Sequence, residues 1–393
     1  MSERKTVILQ PEYMKEFNCI GSACEDTCCA GWKVELDKKT YQSYLKIKDK
    51  ELKELVAESV NRKRSEKSDA AYGKIKMKKD GSCPFLDQDR LCRIQLIKGE
   101  GFLSETCTVY PRIFNRIDGR TEQSANYSCP EVVRLALFKE QGMVFENAEE
   151  VMNPKYKVKR ILDTEGHLFY NKPQRYFWEI RLFSLGLLQN RSYSMGERLI
   201  ILGIVYKKIE ELQKEGKISE LERVLEAMSD LIEAGTIREE LDRVPVNNQI
   251  QLRIAKELTD IKVNEGIASI GYLRLLNEAL LGISYIEGGN LDNVLQKYEE
   301  NYRNYLAPYL QNKEYILENY LVNEYFKEIM PFGRFKTIWE SYVFLCTLYS
   351  MLKLHLIGLA GYHKEMNDEL AGKLVQSFSK VILHNDKYIH TAG

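Results

Sequence analysis

The chain has 393 residues, 44% hydrophobic and 29% charged, the mix of an ordinary globular protein long enough for two or three domains. Lys plus Arg and Asp plus Glu each number 57, so the formal net charge is zero and no global field draws the chain to nucleic acid or to an anionic membrane. No apolar segment reads as the roughly 18 uninterrupted residues of a bilayer span. The most apolar stretch, 342–362, is broken by Lys353 and His355 and reads as a buried core helix.

The N-terminus, MSERKTVILQ, has an apolar run too short and too polar in flank for a signal peptide, so a cytoplasmic protein with reduced thiols is expected. TVILQ reads as a strand that ends at Pro11. Eight of the nine cysteines then follow: Cys19, Cys24, Cys28, Cys29, Cys83, Cys92, Cys107 and Cys129, spaced C-x4-C-x3-C-C, then C-x8-C-x14-C-x21-C. Thiolates gathered in this density suit soft transition metals and iron–sulfur clusters. The competing readings are a disulfide framework, which belongs mostly to short secreted chains, and plain buried thiols. The small residues of Ile20–Ala23 and Ala30–Gly31 let backbone wrap a buried object, with Trp32 as a shield against water or simple packing.

WKVELD alternates like a strand, and 38–64 reads as a helix carrying Tyr41, Tyr44, Leu45, Leu52, Leu55 and Val56. From 46 to 79 there are 12 basic residues against 6 acidic ones, most simply a solvated face. A short strand and an Asp80-Gly81 turn deliver Cys83. Prolines follow Cys83 and Cys129, where they fix the backbone beside a ligand. Arg112 and Arg116 lie on one face if their segment is helical. There they would favour ionised thiols or grip the carboxylate of a small cofactor, unless they are surface arginines paired with acids. Ser128-Cys129-Pro130-Glu131 reads as a helix start with a serine cap.

After about residue 150 helical periodicity takes over, with helices expected over 174–189, 195–214, 218–234, 250–261, 267–285, 290–305, 312–329, 335–360 and 364–384. Gly235, Gly288-Gly289-Asn290 and Pro331-Phe332-Gly333 punctuate them. The only cysteine here is Cys346, expected as an inert core residue. The 24 tyrosines read as helix faces half in and half out of a core. The expected fold is therefore mainly α: a cysteine-rich metal or cluster domain with a few short strands over 1–150, then an irregular helical bundle over 151–393.

No G-x-G-x-x-G follows a strand, no P-loop and no H-E-x-x-H occurs, and the five histidines (167, 355, 363, 384, 390) are scattered. Any chemistry should then come from what the cysteines hold. Structural zinc favours C-x2-C knuckles, and none is present, although eight thiols could still make two irregular four-coordinate sites. A [4Fe–4S] cluster takes four cysteines at varied spacing. The radical-SAM pattern C-x3-C-x2-C is not met: Cys24 and Cys28 fit, while the third position is Gly31.

The runs CIGSACEDTCCAGW, CPFLDQDRLC, LSETCTVYPR and YSCPEVVRLAL resemble the flagellin lysine-N-methylase family and its zinc- or iron-chelating cysteine-cluster relatives. The likeness is specific over 7–138 and extends more loosely through ENYLVNEYFKEIMPF (318–332) and the helices after it. The resemblance implies methyl transfer from S-adenosylmethionine to lysine ε-amines of flagellin or a similar protein, with an iron–sulfur cluster on the cysteines. On that basis Arg112 or Arg116 is expected to bind the methionine carboxylate of S-adenosylmethionine, and Tyr110 to line the site. The tight group Cys19–Cys29 is the expected source of cluster ligands. A zinc- or cluster-stapled binding protein with no catalytic role is the alternative.

Overall fold

A computed structural model describes residues 5–383 except 31–33, 64–67, 246, 268 and 287–289. Trp32, His384 and His390, and the Gly288-Gly289 turn, lie outside the described residues. The fold is mainly helical, as expected, with eight strands in two sheets among the described residues.

The larger sheet has the order β7-β1-β6-β5-β8, formed by β1 (Lys5–Pro11), β5 (Arg112–Ile117), β6 (Arg120–Ala125), β7 (Phe145–Val151) and β8 (Val158–Leu162). β1 lies parallel to β6 and antiparallel to β7, and it ends at Pro11, paired with Phe145. β5 and β6 form a hairpin whose two turn residues, Asp118 and Gly119, both have positive φ. That is the geometry an Asp-Gly pair favours. The conditional helix around Arg112 and Arg116 is thus corrected: the segment is a strand, because the Asp-Gly turn pairs it with β6 rather than letting it wind. A division at residue 150 falls inside β7, and β8 beyond it belongs to the same sheet.

The smaller sheet, β2-β4-β3, joins Glu35–Leu36, Gly73–Ile75 and Val60–Arg62. Two helices connect β2 to β3, α1 (Lys38–Leu45) and α2 (Lys50–Ser59). A single helix over 38–64 is corrected. Asp37 caps the first helix, accepting from Thr40 N, and Asp49 starts a second one by accepting from Leu52 N at 2.8 Å. The chain then leaves α2 as β3. This unit has its own small core: Val34, Leu36, Tyr44, Ile47, Leu52, Val56, Phe85 and Ile94 among others.

The long helices follow: α3 (Phe177–Leu188), α4 (Met195–Lys214), α5 (Leu221–Glu233), α6 (Asn248–Asn264), α7 (Ile270–Gly282), α8 (Leu291–Asn301), α9 (Tyr315–Lys327), α10 (Ile338–His363) and α11 (Asp368–Ile382). Their starts are chemically specified. Ser194 with Glu197, and Thr337 with Glu340, form reciprocal capping boxes at α4 and α10. α10 is long and apolar enough to cross a membrane by composition alone, yet 72% of its most apolar window is buried inside this protein. It is the axis of the helical core.

α9 is buried from Ile316 to Lys327 although it carries Glu318, Asn319, Asn323, Glu324 and Lys327. Most of these polar side chains are paired. Asn319 Nδ2 donates to Leu137 O and Lys139 O, Asn323 Nδ2 to Ala125 O, and Asn115 Nδ2 of the sheet to Lys327 O. Glu318 accepts from Arg198 and Arg191. One core runs from Tyr13 to Leu383 and joins the larger sheet to the helices through α9.

Candidate functional site

The eight N-terminal cysteines come from four segments, two of which the backbone zips together. Cys83 N donates to Cys29 O at 2.8 Å, and Ala30 bridges Ser82, closing the 53-residue gap between Cys29 and Cys83. A tight turn then presents Cys83 and Cys92 together. Leu86 bridges Cys92, Asp87 N donates to Leu91 O, Leu91 N donates to Asp87 Oδ1, and Arg93 N donates to Phe85 O. Cys107 sits in a short helical turn capped by Ser104, whose Oγ accepts from Cys107 N. Cys129 directly precedes the turn begun by Pro130. It is Cys129 rather than Ser128 that occupies the cap position. Ser128 Oγ instead meets Tyr110 Oη at 3.1 Å.

None of the nine cysteines, all of them among the described residues, is in a disulfide. Burial pushes Cys83 up to about 12, with the thiols of Cys29, Cys107 and Cys92 adding to it. Desolvation raises Cys107 to about 11, and Cys29 and Cys92 add to it, although Cys107 keeps solvent access. Burial also raises Cys92, with Cys29 contributing. Burial raises Cys129 to about 11, helped by Cys24 and Cys19. Backbone N–H groups oppose these shifts: Phe85 at Cys83, Gln95 and Ile94 at Cys92, Val132 and Glu131 at Cys129. Donors aimed at sulfur favour the thiolate that a metal requires. Within the adjacent pair, Cys28 hydrogen-bonds Cys29, so Cys29 ionises first and Cys28 is held protonated.

Sulfur donors of this number fit iron or zinc by chemistry. A tetrahedral zinc with bonds near 2.3 Å would hold sulfurs roughly 3.8 Å apart. Among the described residues no three Cys, His, Asp or Glu side chains are gathered tightly enough to hold a metal ion. A cubane carries its thiolates on four separate irons and spreads them wider.

Of the other expected residues, Tyr110 lies beside the thiols of Cys129 and Cys28, and burial raises its phenol well above the usual value. Arg112 stacks over the Phe17 ring at 4.8 Å from its centre, and Arg116 is exposed. Four residues along a strand span about 13 Å, against one helical turn, so the two do not form a joint carboxylate grip.

Four side chains at this face carried no signal in the sequence. Lys155 Nζ donates to Gly101 O and Leu103 O and favours the Cys107 thiolate. Asp26 accepts from Lys380 Nζ at 2.9 Å through both oxygens and from Gln376 Nε2 at 2.7 Å. Gln376 also donates to Ser128 O at 2.8 Å. α11 thereby clamps the Cys24–Cys29 loop to the segment that bears Cys129. Only contacts more than 200 residues apart reveal this. Outside the thiols, a groove of about 750 Å³ runs past Leu55, Glu58, Pro84, Leu86, Asp87 and Arg93.

Known proteins bear on this arrangement. Residues 181–392 match the family model described as the FliB lysine N-methylase C-terminal domain. The chain is 24% identical over 336 residues to the Lysine-N-methylase of Salmonella typhimurium strain LT2, covering 84% of this chain and 80% of that one. The Lysine-N-methylase of Salmonella choleraesuis strain SC-B67 aligns to the same extent. The flagellar biosynthetic protein FliU of Salmonella muenchen is 37% identical over 130 residues, which is 33% of this chain and 76% of that one. No solved structure matches. With more than half its length in the family model, the chain belongs to the FliB lysine N-methylase family.

Proposed function

We propose that this chain is an S-adenosylmethionine-dependent protein lysine N-methyltransferase, acting on flagellin or a similar protein, with an iron–sulfur cluster held by its N-terminal cysteines. The observation that carries the methyl-transfer reading is the alignment with proteins named Lysine-N-methylase across 84% of the chain. The FliU name of a third relative supports a flagellar substrate. The convergence of eight thiols from four segments supports the cluster.

In the reaction the S–CH3 bond of S-adenosylmethionine breaks and a bond from the methyl carbon to the lysine Nζ forms. The amine gives up a proton, and S-adenosylhomocysteine leaves. A bound cluster would supply coordination sites for the methionine end of the cosubstrate, a task otherwise done by a nucleotide-binding fold. The chain's own residues hold the thiols in place through backbone N–H donors, fix the Cys24–Cys29 loop through Asp26, and set Tyr110 as a wall beside Cys28 and Cys129.

The test is direct. The anaerobically purified chain is incubated with S-adenosylmethionine and flagellin, and the flagellin peptides are read by mass spectrometry. Methylated lysines that depend on both components support the proposal. Unmodified flagellin with an iron-loaded, folded chain would remove the substrate assignment.

A further inference from the structure

The groove of about 750 Å³ outside the thiols has a chemistry that the methyl-transfer step does not use. One wall is α2, where Leu55 and Glu58 lie one turn apart and Glu51 lies one turn before Leu55. The other wall is the turn from Pro84 to Asp89, which the bonds between Asp87 and Leu91 hold in shape. Pro84 follows Cys83 and Arg93 follows Cys92, so the groove runs beside the turn that bears both thiols. Its apolar surface comes from Leu55, Pro84 and Leu86. In the helical turn that begins at Arg93, Leu96 and Ile97 leave further apolar surface in solvent, 60% and 43% exposed.

Charge decides what such a groove takes. Its lining carries Glu58, Asp87 and Asp89 against Lys78 and Arg93, and Glu51 already engages Arg93. Glu58 and Asp89 are exposed. That balance repels phosphates and nucleic acid. Among the described residues no three acidic, Cys or His side chains are close enough to hold a metal ion, which turns these carboxylates toward organic cations. The volume falls within the roughly 300–1,000 Å³ of ordinary ligand pockets, room for a short stretch of chain but not for a folded domain. Resting on the lysine-methylation reading above, we propose that the groove docks a lysine-bearing loop or chain end of the protein substrate. Apolar side chains of that segment lie on Leu55, Pro84 and Leu86, and its ammonium groups pair with Glu58 and Asp89.

Binding tests this apart from catalysis. Dye-labelled flagellin is titrated with the full-length chain, purified anaerobically, and followed by fluorescence anisotropy. Glu58→Lys with Asp89→Lys, checked for folding by circular dichroism, should weaken binding about tenfold or more, because two favourable charge pairs become unfavourable. The loss should shrink at high salt, which screens exposed charges. Glu222→Lys with Glu226→Lys, the same charge change on the exposed face of α5, should shift binding less than about twofold. Acetylated flagellin, its lysine charges removed, should bind the parent as weakly as the groove variant binds unmodified flagellin, an arm that needs no variant to fold. In turnover the groove variant should raise KM for flagellin more than it lowers kcat. Equal affinity of parent and groove variant, an equal loss in the α5 control, full affinity for acetylated flagellin or no binding by the parent would overturn the docking site. Methylated flagellin together with unchanged binding would remove the docking site alone. Weakened binding with no methyl transfer by the iron-loaded parent would uphold the docking site and remove the methyl-transfer reading.

Discussion

At the scale of single residues, buried ionisable groups give the sharpest expectations. His355 lies wholly buried in α10, with Nδ1 donating to Met351 O at 2.7 Å and Nε2 accepting from Tyr272 Oη at 3.0 Å. Both bonds suit the neutral ring, and burial lowers its pKa from 6.5 to about 4. The unfolded chain therefore binds the proton first as pH falls, so this residue's contribution is intact above about 6.5 and is lost progressively down to about 4. The full loss is about 3 kcal/mol, from roughly 1.4 kcal/mol per unit. Chemical denaturation of His355→Gln should show a pH dependence between 6.5 and 4 that is shallower than the parent's. An identical slope would mean that the ring titrates normally. Glu122 and Arg181 form a bidentate pair at 2.7 and 2.9 Å, both almost fully buried. Arg181→Ala should cost about 3–5 kcal/mol by stranding the carboxylate. Arg181→Met paired with Glu122→Leu should recover much of that loss in the same urea titration.

The helices show which parts of this fold a sequence can specify. α4 falls on 195–214 as expected because Ser194 and Glu197 write its start into the chain and its apolar residues keep period. The last two helices shifted by only a few residues for the same reason. The strands at 112–125 were legible too, through Ile117-Asp118-Gly119-Arg120, but the four-residue spacing of Arg112 and Arg116 invited a helical reading. Crossings between helices are a different matter. A Cβ on Gly282 of α7 would lie 1.9 Å from Gly358 O of α10, so the two helices touch backbone to backbone. No local pattern announces that contact. Gly282→Ala should destabilise by at least about 1–3 kcal/mol, the usual cost of overpacking, and lower the thermal midpoint. A neutral result would show that α7 and α10 can separate without loss.

For the molecule as a whole, the gathering of the cysteines was legible and their partners were not. The density of thiols before residue 130 pointed to one chemical centre, and a backbone bond joins Cys83 to Cys29 across the 53 residues between them. What closes the site comes from far along the chain. Lys380 and Gln376 on α11 hold Asp26, and Lys155 lies against the loop before Cys107. Lys380 and Asp26 are partly exposed, so Lys380→Ala should cost global stability no more than about 1 kcal/mol. Its effect should be local: faster alkylation of Cys24 and Cys28 in the metal-free chain, read by peptide mass spectrometry, with Cys83 unchanged. Equal acceleration at all three would place the change in overall unfolding.

The central claim is that methyl transfer by this chain runs through metal bound at its cysteines. It is tested most directly by transfer of labelled methyl from S-adenosylmethionine to flagellin, measured on one preparation before iron removal, after it, and after reloading with iron and sulfide. The account expects transfer by the loaded chain, loss of transfer with the metal while the helices stay folded by circular dichroism, and recovery on reloading. Undiminished transfer by a folded, metal-free chain would contradict it.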